Sequence, residues 1–264
     1  MVTLWINLDG AVNVRDLGGL AVQGGGTTRP GRILRSDNLQ ALSDRDVHHL
    51  VTELKLRHVV DLRSHAEVML EGPGPLTRVP EVTIHHHTVF AEGGARTDVE
   101  ADLAVDVDAV LPWVGQAENG PVVSRTVGHY LGYLEARPDS VVSSLRVLSG
   151  GDGTALVHCA AGKDRTGVVV ALALEVAGVE RAQVVADYTR TGDRLEQVIG
   201  RLRASSTYAA DLDSRPADSH LPRAQIMEGF LGSLDRRYGG VAGWLDANGW
   251  TEADTELLRA RLCD

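Results

Sequence analysis

Cysteine, lysine and aromatic side chains are all scarce in this chain. Two cysteines in 264 residues, Cys159 and Cys263, leave no disulfide framework and no cluster of thiolates for a metal. Only two of the 26 basic residues, Lys55 and Lys163, are lysines, so a lysine inside a functional loop stands out against an arginine background. Four tryptophans, five tyrosines and two phenylalanines provide few rings to stack on a ligand. No apolar run approaches the ~20 residues of a membrane span. The opening MVTLWINLDG lacks the basic start and apolar stretch of a secretory signal, so the expected location is the cytoplasm, with secretion lacking a signal peptide left open. The formal charge of -10 repels polyanions at long range and excludes nonspecific nucleic-acid binding, while leaving room for a small basic pocket.

What the chain does have is 43% hydrophobic content, enough to bury the core of one elaborated domain over residues 1–264. Within it, residues 1–90 read as an N-terminal sheet part, 91–120 as an acidic excursion, 121–190 as the core and 191–264 as a helical elaboration. RILR (32–35), RHVVDL (57–62), EVTIHHHTVF (81–90) and TALVH (154–158) have the composition of strands. Ser43 with Asp46, and Ser64 with Glu67, carry the spacing of helix capping boxes, with Leu42 and Val47 placed to staple the first. Helical spacing runs over 124–136 and 139–148, and TGVVVALALEVAGV is apolar enough for a buried central helix ending near Gly178. Polar helices follow through Arg203, then a loose segment, then three helical patterns closing at Leu262. Strands alternating with helices predict an α/β fold, a central sheet flanked by helices, with a helical C-terminal elaboration that is a candidate lid.

The stretch VHCAAGKDRTG (157–167) joins the last strand to the buried helix. A loop between a strand's carboxyl end and a helix's amino end gathers backbone N–H groups in a region of positive helix-dipole potential, which suits an anion. Gly162 allows close backbone approach, and Arg165 offers a planar fork for two oxygens of a phosphate. In that field a thiol is expected to ionise, which makes Cys159 the candidate nucleophile for covalent phosphoryl transfer. Ala160, Ala161, Gly162 and Thr166 are candidate phosphate-binding positions, Thr166 being also placed to assist the thiolate. His158 is placed to fix the loop from behind, and Asp61, at a strand's carboxyl end, is a candidate supporting residue.

Those residues, together with NVRDLGG (13–19), LRSDNL (34–39), VVDLRS (59–64), VVADYTRT (184–191) and RYGGVAGWL (237–245), resemble the cysteine-dependent phosphatases with a His-Cys-five-residues-Arg loop. The resemblance is greatest to the bacterial PtpB-like tyrosine and phosphoinositide phosphatases and covers nearly the whole chain. It implies a phosphatase α/β fold, a phosphorylated protein or phosphoinositide as substrate, and roles in catalysis for Lys163 and Asp164. After Phe90 the chain reads AEGG, so no aspartate follows at once to serve as a mobile general acid. Asp164, Asp61 and the aspartates between 98 and 108 therefore all remain candidates for that role. Two other classes stay open: a phosphate-recognition pseudophosphatase with an intact loop, and sulfur or arsenate redox chemistry, which wants a resolving cysteine close by, whereas Cys263 lies far along the chain. Neither a metal nor another cofactor is expected, because adjacent strand residues among His85, His86 and His87 face alternate sides.

Overall fold

The computed structural model describes residues 3–91, 121–209, 212 and 217–263. The acidic stretch 92–120 lies outside the described residues. Six strands form one mixed sheet: β1 (Leu4–Trp5), β2 (Arg15–Asp16), β3 (Ile33–Ser36), β4 (Leu56–Asp61), β5 (Thr83–His86) and β6 (Thr154–His158), in the order β1-β2-β3-β6-β4-β5. β3, β6, β4 and β5 run parallel, whereas β1 and β2 extend the β3 side antiparallel. β6 thus lies at the middle of the parallel part, and its carboxyl end opens between the ends of β3 and β4, where α/β sheets place their ligands.

Helices cover both faces. On β6, Ala155 and Val157 point to one side and Leu156 to the other, the two-residue period of a strand buried on both faces. The larger core joins Ala155 and Val157 to α3 (Val122–Ala136), α4 (Pro138–Ser149), the buried α5 (Asp164–Val176) and α6 (Arg181–Arg190). The smaller core packs Leu156, Val59 and Leu34 against Leu42 and Leu50, beside α1 (Asp44–His48) and the π-helical turn His49–Glu53. Burying one such aliphatic side chain contributes roughly 1.5–3 kcal/mol, so the two faces together hold the sheet's middle firmly. Both capping boxes form: Ser43 accepts from the Asp46 amide, and Ser64 from the Glu67 amide at the start of α2 (His65–Glu71). α5 stops before Gly178, whose φ of +80° suits the left-handed exit from a helix.

In NVRDLGG, Arg15 and Asp16 form β2 opposite Arg35 and Leu34, and a turn follows at Gly18 and Gly19, where the Gly18 amide donates to the Asp16 side chain at 2.8 Å. Within the C-terminal helical elaboration, α8 (Ala224–Tyr238), α9 (Val241–Ala247) and α10 (Glu252–Leu262) pack into the main core through Phe230, Leu234, Trp244 and Leu262. Over the carboxyl end of β6 stand α7 (Leu195–Arg203), Tyr208, Leu212, Ser219 and His220, and Val198, Leu202, Tyr208 and Leu212 form a separate small cluster on Ala160. No helix among the described residues is long and apolar enough to cross a membrane.

Candidate active site

The loop after β6 is held by its carbonyl groups. The Ala160 carbonyl accepts from the Asn38 amide at 2.9 Å. The Asn13 side chain donates to the carbonyls of Ala161 (3.0 Å) and Gly162 (3.3 Å), and Arg35 Nη2 donates to Gly162 at 2.7 Å. In a planar trans peptide the N–H points away from the C=O, so tying these carbonyls outward turns the amides of Ala161, Gly162 and Lys163 toward the opposite side. Gly162 has φ of +66°, and a Cβ there would lie 2.4 Å from the Ser36 carbonyl oxygen, so the loop can rest on the end of β3 only with glycine at this position.

Behind the loop lies a buried ionic knot. Arg15 Nε donates to Asp187 at 2.8 Å, Arg35 Nη1 donates to the other oxygen of the same carboxylate, and Arg15 also reaches the Asn13 side chain (2.6 Å) and Thr191 (3.2 Å). All three charged side chains are essentially inaccessible. Burial and the neighbouring Arg35 lower Arg15 to about 10, with Asp187 opposing the fall, so the guanidinium remains charged at neutral pH. Asp187 is held below the usual carboxylate range: burial works against its charge, but the two arginines outweigh it.

On the other flank, Arg165 donates from Nη1 to Glu67 Oε2 (2.5 Å) and from Nη2 to Oε1 (2.9 Å), a bidentate pair with both partners buried. Burial opposes its charge, yet Glu67 and Cys159 hold the guanidinium well above its ordinary value. Its plane also lies over the Phe90 ring, 5.2 Å from the centroid. Asp61 stands behind the loop and outside the cavity lining; it pairs with Arg63 (Nη2 to Oδ2, 2.6 Å) and lies 3.7 Å from His158 Nε2. Burial lowers His158 to about 4 against the pull of Asp61, leaving the ring neutral, with Nδ1 directed at the Cys159 carbonyl at 3.2 Å. The three adjacent histidines have structural neighbours rather than a shared one: His85 faces His58 at 3.3 Å, His86 the Arg63 carbonyl at 2.8 Å and His87 the Ser144 hydroxyl at 3.2 Å.

Cys159, Ala160, Ala161, Lys163, Asp164 and Arg165 line one cavity of about 450 Å³. Cys159 lies at its base, 2% exposed. Asp164, whose side chain is one-third exposed, accepts from the Tyr130 hydroxyl at 2.6 Å, and Tyr130 is in turn 2.8 Å from the Tyr188 hydroxyl. Lys163 Nζ donates to the His220 carbonyl at 2.9 Å and lies 3.5 Å from Asp164. The Thr166 hydroxyl is fully buried and makes no hydrogen bond among the described residues, to Cys159 or otherwise.

The geometry therefore brings together the thiol, the arginine fork, the turned amides and one accessible carboxyl beneath a partly apolar cover. A model of the tyrosine phosphatase family matches residues 6–264. The chain belongs to the tyrosine phosphatase family. Among relatives of this phosphatase, the triple specificity protein phosphatase PtpB of Mycobacterium tuberculosis is 29% identical over 97% of this chain and 98% of its own. A tyrosine-protein phosphatase of Nostoc commune is 27% identical over 87% of this chain and 73% of its own. In this tyrosine phosphatase, sequence reasoning missed Glu67 as the partner of Arg165, because its capping-box spacing already accounted for it. It also missed Asn13, Arg35, Asp187 and Thr191, which lie inside the quoted landmark stretches with nothing local to reveal that they meet.

Proposed function

We propose that the chain is a phosphomonoester hydrolase that works through a phosphocysteine, using protein groups alone. Cys159 Sγ attacks phosphorus in line with the ester oxygen; the S–P bond forms as the P–O bond breaks, and the departing oxygen takes a proton from Asp164. Water then attacks the phosphocysteine and gives a proton back to the Asp164 carboxylate as the P–S bond breaks, releasing inorganic phosphate and the thiolate. The loop amides and Arg165 hold the non-bridging oxygens throughout, where preorganised donors contribute most to the transition state. Glu67 fixes the plane of the Arg165 fork, and its single negative charge leaves the amides and Arg165 together with room for the phosphate dianion.

The observation that carries this reading is the set of loop carbonyls tied outward by Asn13, Arg35 and Asn38 around Cys159. Among the candidate acids, Asp164 is the one described carboxyl that lines the cavity beside the thiol, which favours it over Asp61. Phosphotyrosine is the first substrate. The triple specificity in the name of one relative supports extending the range to phosphoserine, phosphothreonine or phosphoinositides.

Replacing Cys159 tests the covalent step. Cys159→Ser is expected to retain phosphate binding and to keep under about 1% of wild-type turnover on p-nitrophenyl phosphate with chelator present. Residual turnover well above that level would remove the phosphocysteine. A wild-type protein that binds phosphate without turning over any ester would instead be a phosphate-recognition protein.

A further inference from the structure

Tyr208 sits in the helical turn that follows α7, where the Ala209 amide donates to Ser205 and the Leu212 amide to Tyr208 itself. Its ring is packed in the small apolar cluster with Val198, Leu202 and Leu212, against Ala160 of the loop, and the residue is 4% exposed. Its hydroxyl is buried and has no hydrogen-bond partner among the described residues. A buried hydroxyl left unpaired is a net cost to the fold, and a phenylalanine would fill the same space free of that cost. The side chain lines the 450 Å³ cavity together with Cys159 and Arg165.

Among the described residues, the largest charge effects on this phenol come from Glu67, Arg165, Arg63 and Glu71. Burial first, and Glu67 next, hold it far above the ordinary range for a tyrosine, so it keeps its proton and remains a donor. Each nearby anion is already engaged: Glu67 receives both arms of Arg165, while Glu71 accepts from Asn38 at 3.1 Å and from Ser205. Among the described residues no anion takes the Tyr208 proton.

We infer that the Tyr208 hydroxyl donates a hydrogen bond to a non-bridging oxygen of the phosphomonoester seated in the loop, so that the cover over the site supplies part of the phosphate site. The inference rests on the reading of the loop as a phosphate cradle. It makes Tyr208 a substrate-binding residue, and it makes bound phosphate a link between the loop and the segment after α7.

The test compares full-length wild type with Tyr208→Phe, using inorganic phosphate as the probe. Its inhibition constant is measured against p-nitrophenyl phosphate, and melting temperatures are recorded with and without phosphate. The expected result is phosphate inhibition weakened about tenfold or more, the scale of one hydrogen bond to a charged oxygen, with the loss of kcat/KM appearing in KM more than in kcat. In the absence of phosphate the variant should melt at the same temperature or higher, because only an unpaired hydroxyl is removed. An unchanged inhibition constant would overturn the inference, as would a lower melting temperature with unchanged inhibition, which would place the hydroxyl's partner inside the fold. If phosphate fails to inhibit wild type at all, the cradle itself falls and the inference with it.

Discussion

The two sides of the loop after β6 are built from opposite materials. Its back is an inaccessible polar knot of Asn13, Arg15, Arg35, Asp187 and Thr191, in which every charged group has a partner. Its cover is a small apolar cluster from α7 to Leu212, with the Lys163 contact to the His220 carbonyl as a polar tie. A buried ion-pair knot contributes little net stability over an apolar equivalent, but losing one member is severe, so it tolerates essentially one geometry. Apolar contacts are non-directional and survive small shifts. The loop is thus located by its back, and the cover is the side that can differ among substrates at modest cost.

Breaking the back should have the largest effect. Asp187→Asn leaves Arg15 and Arg35 in the interior without the carboxylate they share, and a stability loss of about 3–5 kcal/mol is expected by urea unfolding, with activity lost in parallel. A loss below about 1 kcal/mol would mean that the knot is not what locates the loop. Next in size is a chemical effect at the cavity: Asp164→Asn should lower turnover of phosphotyrosine peptides about 100-fold while hurting p-nitrophenyl phosphate less, because that ester departs well lacking a proton. Equal losses on both would leave Asp164 a structural partner of Tyr130.

A smaller effect depends on pH and again concerns the back. His158 takes up its proton near 6.5 in the unfolded chain and near 4 in the folded one, so between these values the unfolded state binds more protons. Stability therefore falls as the pH drops from 6.5 to 4, by about 1.4 kcal/mol per unit at most. His158→Gln should flatten that part of the curve of urea midpoint against pH, and an unchanged slope would assign the loss to other groups. The smallest change in stability belongs to the cover. Lys163→Met removes the tie to His220 and is expected to cost about 1 kcal/mol or less, yet it should raise KM for a polyphosphorylated inositol lipid more than for a small aryl phosphate. Equal effects on both substrates would place the lysine in the transition state.

How much of this was legible in the sequence depended on whether the cause was local. β6 occupies 154–158 as its apolar run predicts, α3 and α4 run close to their helical spacing, and both capping boxes form where Ser and the acid three residues later place them. The loop's place was legible too, since Gly162 between an apolar strand and an apolar helix marks a tight passage from β6 to α5. β2 was not, because two residues carry no alternation and become a strand only through pairing with β3. The same holds for Arg15 and Asp187, 172 positions apart, and for Tyr130 and Asp164, 34 apart: each residue has a bland local reading, and only the fold brings the partners together.

Glu67 has a double attachment with a further consequence. Its Oε2 accepts the Ser64 amide at 2.7 Å as part of the cap of α2, and the same oxygen accepts Arg165. The first turn of a short surface helix and the arginine fork therefore share one oxygen atom, and fraying of the former removes a support from the latter. Amide exchange at Ser64 accordingly becomes a gauge of the fork: any solvent, temperature or substitution that speeds exchange there also frees the guanidinium to leave its plane, well before the sheet itself begins to open.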